Sequence, residues 1–190
     1  MFAAARWHAR TVNHGVTMKM KSVARLALSA ALAAGAAVPA SATAIGPHAA
    51  RCESGEASVI VNVTGFRVRT GNVRVQLYAS NPRTYLERRQ WLVRVDMPVS
   101  RSGDMPICVP VTNAGRYLVS VRHDVNGNGD SDRSDGGGFS GNPNVSVLDM
   151  VFRRKPNINR ISFNVDNAPV RVNVVLNYVN GTRFEPVTRS

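Results

Sequence analysis

The sequence predicts an all-β protein, a single antiparallel β-sandwich of about seven strands. From Ser58 onward, apolar and polar residues alternate in short runs, the period of a half-buried strand. Turn residues punctuate those runs at Thr70-Gly71, Asn81-Pro82, Ser102-Gly103-Asp104 and Asn113-Ala114-Gly115. No run is followed by a helix of crossover length, which argues against a parallel α/β sheet.

The elements follow in order. Ser58 to Phe66 sets Val59, Val61 and Val63 on one face, with Gly65 at a bulge or bend. The return run Asn72 to Tyr78 sends Val73, Val75 and Leu77 inward and Arg74 and Gln76 outward. Arg83 to Gln90 is expected as a short helical turn, with Tyr85 and Leu86 covering an end of the core. Trp91 to Val99 is the third strand and Met105 to Thr112 the fourth. Pro110 cannot donate to a ladder, so the fourth strand is expected at an edge. Arg116 to His123 carries Tyr117, Val119, Val121 and His123 on one face. Arg160 to Val165 and Val170 to Tyr178 close the domain, which spans 58–180, and residues 181–190 read as a loose tail.

Residues 1–44 read as an N-terminal extension and a secretory signal peptide. Lys19, Lys21 and Arg25 precede the apolar run Leu26 to Val38, and Ala42-Thr43-Ala44 is a small-x-small cleavage site. The apolar run is shorter than the roughly 20 residues of a transmembrane span, so no span is expected after cleavage. The basic region places the start of the signal at Met18 or Met20. A periplasmic or secreted location follows. Residues 45–57 form a lead-in that Cys52 would tie down, since an even pair of cysteines in an exported chain, Cys52 and Cys108, points to a disulfide.

Beyond residue 44 the chain holds 19 of its 24 basic residues and all 12 acidic ones, a net charge of +7. Such a surplus can attract anionic surfaces, but scattered arginines are read first as a solvated polar face. The arginines are scattered along several strands, so nucleic acid is not the expected partner; a cell-envelope polymer or another protein is.

The densest chemistry lies between His123 and Asp135. Counting from Asp124, side-chain oxygens fall at the first, third, fifth, ninth and twelfth positions, from Asp124, Asn126, Asn128, Asp132 and Asp135, and Asp130 at the seventh offers its carbonyl. Gly129 stands where the calcium loop needs its sharp turn. The carboxylates repel one another unless a cation neutralises them. Ca2+ is therefore the expected cofactor, bound at about 10⁻⁴ to 10⁻³ M as in extracellular modules. Two features depart from the pattern: Asp135 is shorter than the usual bidentate Glu, and Arg133 adds a positive charge. The flanks are not helical, so the loop would sit on a sheet. The alternative is an Asx- and Gly-rich turn held by side-chain to backbone bonds.

The run His123-Asp124-Val125-Asn126-Gly127-Asn128-Gly129 has company. Val61-Asn62-Val63-Thr64-Gly65-Phe66 leads to Gly71-Asn72-Val73-Arg74-Val75, Gly115-Arg116-Tyr117 opens the strand ending at His123, and Val172-Asn173-Val174-Val175-Leu176-Asn177-Tyr178 closes the domain. From Ser58 to Tyr178 the chain resembles the bacterial exported domain-of-unknown-function family 2141. That resemblance implies a transthyretin-like or immunoglobulin-like sandwich and no particular activity.

Residues 136–156 would be a flap over the open end of the sandwich or a binding lip, with Phe139, Phe152, Arg153 and Arg154 its candidate residues. No catalytic residues are proposed: there is no G-x-S-x-G elbow, no His/Cys cluster at zinc spacing, and no nucleophile beside His123 and Asp124. The expected function is a non-catalytic binding or interaction module with a calcium-ordered loop. The alternative is a carbohydrate or surface-polymer binding domain using Trp91, Tyr85 and Phe139; a hydrolase is the least favoured reading.

Overall fold

The computed structural model describes residues 43–187. The expected signal peptide and the start at Met18 or Met20 lie outside the described residues, apart from Thr43 and Ala44. In chain order the elements are α1 (Ala49–Glu53), β1 (Ser58–Thr64), β2 (Asn72–Ala79), β3 (Val93–Pro98), β4 (Met105–Pro110), β5 (Gly115–Asp124), β6 (Gly136–Phe139), α2 (Val147–Val151), α3 (Ile158–Ile161), β7 (Ser162–Val165), β8 (Val170–Val175), β9 (Asn177–Asn180) and β10 (Arg183–Pro186).

The protein is all-β and sandwich-like. A three-stranded sheet has the order β4-β1-β8, and a seven-stranded sheet has the order β10-β9-β6-β5-β2-β3, with β7 also pairing β5. The inward faces that the alternation marks meet between them. Val59, Val61 and Val63 of β1, Ile107 and Val109 of β4 and Val174 of β8 pack with Val73, Val75 and Leu77 of β2 and Val119 and Val121 of β5. Burying a side chain of this kind contributes about 1.5–3 kcal/mol, so this valine-rich seam supplies most of the driving force for folding.

The expectation of a purely antiparallel sandwich needs correcting. β1 and β8 run parallel, from Val59↔Val170 to Thr64↔Val175. Among the described residues ten strands stand where about seven were expected. Val170 to Tyr178 divides into β8 and β9, and the expected tail contains β10, which pairs β9 from Arg183↔Asn180 to Pro186↔Asn177. The flap also begins as a strand, since Gly136 to Phe139 pairs with β5. Its glycines have a packing reason. A Cβ on Gly136 would lie 2.4 Å from the Tyr178 ring, so only a bare backbone fits against that aromatic.

β4 is an edge strand, as Pro110 predicts. The amide of Cys108 points away from β1 and donates to the Ile45 carbonyl at 3.0 Å, so Pro106 and Pro110 place their missing donors on the same unladdered side. Cys52 of α1 and Cys108 of β4 form the disulfide. It holds the lead-in against the edge that would otherwise be open.

A second apolar cluster lies on the outer face of the larger sheet, opposite the core. Tyr78 of β2, Leu118 of β5 and Ile161 of α3 form it, with Tyr85, Leu86, Trp91 and Phe139 packed around them.

Candidate functional site

β5 is the longest strand, and it carries the candidate site at its end. Period two sets its residues in two files: His123 with Val119 and Val121 toward the core, and Arg122 with Asp124 on the other side. The chain then loops from Asp124 to Asp135 and returns as β6, with His123 opposite Gly136.

Within that loop every Asx side chain but that of Asp130 caps a nearby backbone amide. Asp124 Oδ2 accepts from Gly129 N at 2.8 Å. Asn126 Oδ1 accepts from Asn128 N at 3.1 Å, and Asn128 Oδ1 from Asp130 N at 2.9 Å. Asp135 closes the loop, its Oδ1 accepting from Val125 N at 3.1 Å and its Oδ2 from Asp132 N at 3.4 Å. Asp132 links the exposed part of the loop: its Oδ2 accepts from Asn126 Nδ2 at 2.8 Å and from Asn128 Nδ2 at 3.3 Å. Asn126, Asn128, Asp130, Asp132 and Arg133 are exposed, and of the candidate ligands only Asp124 and Asp135 are buried. These bonds are those of the Asx-rich turn weighed above, and they also gather Asn126, Asn128 and Asp132.

Two buried atoms on the same strand face stand apart, Arg122 Nε and Asp124 Oδ1, neither with a hydrogen-bond partner among the described residues. Asp124 is only 3% exposed, and its Oδ1 is buried. Such an atom costs about 1–3 kcal/mol or more if nothing else meets it. Asp135 is affected differently. Burial raises its carboxyl above the ordinary range, and Asp132 and Asp124 push the same way against the Val125 and Asp132 amides. Asp132 is held below the ordinary range, chiefly by the Ser134 hydroxyl and the Asn126 amide.

Arg122 is the cation that the spacing alone does not reveal. Its Nη2 donates to the Gly129 carbonyl at 2.7 Å and reaches Asp124 Oδ2 at 3.4 Å, and its Nη1 donates to Ser131 Oγ at 2.9 Å. A residue two before Asp124 must share its strand face, so the signal was present in the sequence. Arg67 braces the loop from outside, donating to the Ser134 carbonyl at 2.8 Å, and Thr70 Oγ1 donates to the Val125 carbonyl at 3.0 Å. Among the described residues no three Asp, Glu, His or Cys side chains converge closely enough to hold a metal by themselves. A cation here would have to draw on amide and backbone oxygens as well.

His123 belongs to the scaffold. Fully buried, its Nε2 lies 2.8 Å from the Thr70 carbonyl and must donate to it. Nδ1 then accepts from the Tyr178 hydroxyl at 2.6 Å. Both nitrogens are thus satisfied in the neutral ring, which is wedged edge-on between Phe66 and Tyr178. Burial holds its pKa below 6.5, against the raising influence of the Thr70 carbonyl and Asp135. Below about pH 6.5 the unfolded chain therefore binds a proton that the folded chain resists. Urea melts are expected to show stability constant above that pH and falling as the pH drops toward the lower folded pKa. A His123→Gln variant should lose this slope; a slope of equal size in the variant would remove His123 as its source.

The four residues of the expected lip separate. Phe139 on β6 and Arg153 and Arg154 beyond α2 line one cleft, while Phe152 is 63% exposed and turned away from it. No helix among the described residues is long and apolar enough to cross a membrane.

No curated protein and no solved structure matches the chain. The family model described as an uncharacterized protein conserved in bacteria, DUF2141, matches residues 61–173, which takes in β2 to β7, parts of β1 and β8, and the whole Asp124–Asp135 loop. The match covers more than half of the chain, which therefore belongs to this uncharacterised bacterial family.

Proposed function

We propose that the domain is an exported, non-catalytic binding module whose Asp124–Asp135 loop is ordered by calcium. The partnerless buried Oδ1 of Asp124 carries this reading. A hard divalent cation would satisfy it and would reverse the raised affinity of Asp135 for protons. Asp124, Asn126, Asn128, Asp132 and Asp135 would supply side-chain oxygens, and Asp130 its carbonyl. The gathering of both Asn side chains on Asp132 supports the same centre, because it brings the amide-bearing and carboxylate side chains of the loop together. Bound calcium would fix the β5–β6 connection, and with it the end of the sheet.

Millimolar affinity sets the size of the test. At calcium about tenfold above Kd, folding gains about 1.4 kcal/mol. That corresponds to a Tm rise of about 3–6 °C over a chelated sample. Asp124→Asn should abolish the rise while preserving the cap on Gly129. If calorimetry shows no heat and the two melts coincide, the loop is a plain Asx turn.

Binding of a carbohydrate or surface polymer has one observation in its favour. Trp91, Tyr85 and Phe139, scattered in sequence, pack around one cluster. All three are half-buried in that packing, which limits the ring area left for stacking on a sugar. A glycan array tests this second reading.

A further inference from the structure

The outer face of the larger sheet carries a groove that uses no residue of the loop. It consists of two clefts of about 350 and 470 Å3 that meet over Gln76, Tyr78 and Leu86, which line both. Each lies in the range of small-molecule sites, about 300–1,000 Å3. The ends differ in chemistry. One has apolar walls from Phe139, Met150 and Phe184, and is lined as well by Arg153, Arg154, Lys155 and Asp149. The other is walled by Arg74, Arg88, Arg89 and Arg94. Asp96 neutralises part of that charge by pairing with Arg74 and Arg94. Arg88 and Arg89 are exposed, and no ion pair among the described residues engages them.

Two independent observations mark this face as a ligand site. The first is backbone strain. Leu86, Arg89 and Arg153 have φ of 57°, 62° and 50°, and of the non-glycine residues with positive φ among those described, only Asn142 lies elsewhere. Long side chains avoid this conformation, and outliers of the kind gather at binding sites. The second is apolar surface left in water. Met150, which lines the apolar end, is 47% exposed, and Leu148, Val151 and Phe152 of the same segment, which do not line it, are 62%, 66% and 63% exposed. Patches like this mark contact surfaces.

We propose that the groove binds an acidic amphiphile, its acyl chain lying over Phe139, Met150 and Phe184 and its anionic head on Arg88 and Arg89. Charge complementarity selects the head and the apolar floor selects the chain. A neutral sugar would leave Met150 and the two phenylalanines unmatched, and a polyanion would run its charges across them. The inference rests on reading the domain as a binding module, and not on its calcium.

Trp91 lines the cationic end and reports on it. Titration of the purified protein with dodecanoate, below its critical micelle concentration, should give a saturable change in Trp91 fluorescence. Dodecanol should bind about tenfold more weakly or worse, the scale of one lost charge-assisted contact. Arg88→Glu with Arg89→Glu should weaken dodecanoate binding by at least about tenfold, and Met150→Asp by a similar factor. Arg153→Gly, which relieves the strain, should leave Tm equal or higher yet lower the affinity. Absence of saturable binding, equal binding of dodecanol, indifference to these substitutions, or binding only to phosphatidylglycerol vesicles would each overturn the proposal. Running the titration with calcium and with chelator separates the two readings. A failed calcium response leaves the dodecanoate curve intact, and a failed dodecanoate curve leaves the calcium melt intact.

Discussion

Replacing both Cys52 and Cys108 with alanine is expected to lower the unfolding free energy by about 4 kcal/mol, as the chain-entropy relation gives for a loop of this length. The bridge joins residues 56 apart in sequence, so its loss releases a long closed loop in the unfolded chain. Alanine is the right replacement. Cys108 is fully buried and Cys52 is 7% exposed, in a small cluster with Ala44 and Ile60, where a serine hydroxyl would sit without a partner. The loss also has a place. Ile45 donates to the Pro106 carbonyl at 2.8 Å and accepts from Cys108 N at 3.0 Å, and the bridge at Cys52 keeps that lead-in on the edge of β4. In the variant, the amide at position 108 should therefore exchange its hydrogen faster than those of the central strand β5. Urea unfolding measures the first effect and hydrogen exchange the second. A loss below about 1 kcal/mol would mean that the unfolded chain stays compact without the bridge.

Much of this fold is legible because its strands are half-buried. Val73, Val75 and Leu77 announce β2 by alternation, since one face meets the core and the other water. Pro110 announces an edge through its missing donor. β6 escapes for the opposite reason. Its Gly136-Gly137-Gly138 has no side chains to alternate, and the cause is the Tyr178 ring, a partner that lies far along the chain. The parallel pairing of β1 with β8 escapes too, because Val59 and Val170 carry nothing local that names their neighbour. At the candidate site the spacing of oxygens was readable and so was the face shared by Arg122 and Asp124, whereas the orphaned Oδ1 is a product of tertiary burial. The groove depends on the approach of two loops: Lys155 pairs with Glu87 and lies over the Tyr85 ring, which joins segments that no periodicity connects.

The contrast between Gly71→Ala and Gly103→Ala should be the sharpest in the molecule. Both glycines have φ of +73°, so both variants place alanine in the left-handed region. Around Gly103 a Cβ meets nothing within 4 Å. Gly103→Ala therefore costs only backbone strain, partly offset by the stiffer unfolded chain, a net loss of about 1 kcal/mol or less. Around Gly71 the same atom would lie 1.9 Å from the Asp124 carbonyl oxygen and 2.6 Å from that of Val125. Those are backbone atoms and cannot swing aside. The turn is pinned as well: Val99 N donates to the Gly71 carbonyl at 3.1 Å, and the Thr70 carbonyl is held by His123. Gly71→Ala must then push the Asp124–Val125 backbone outward, adding overpacking of about 1–3 kcal/mol to the strain, for a loss near 3 kcal/mol in all. The displaced residues are the first of the candidate calcium loop. Gly71→Ala should consequently lose the calcium-dependent rise in Tm, while Gly103→Ala, at an open turn, keeps it. Equal losses of stability in the two variants would show that the close approach of Gly71 to Asp124 relaxes at little cost, and that the loop entrance is softer than its packing suggests.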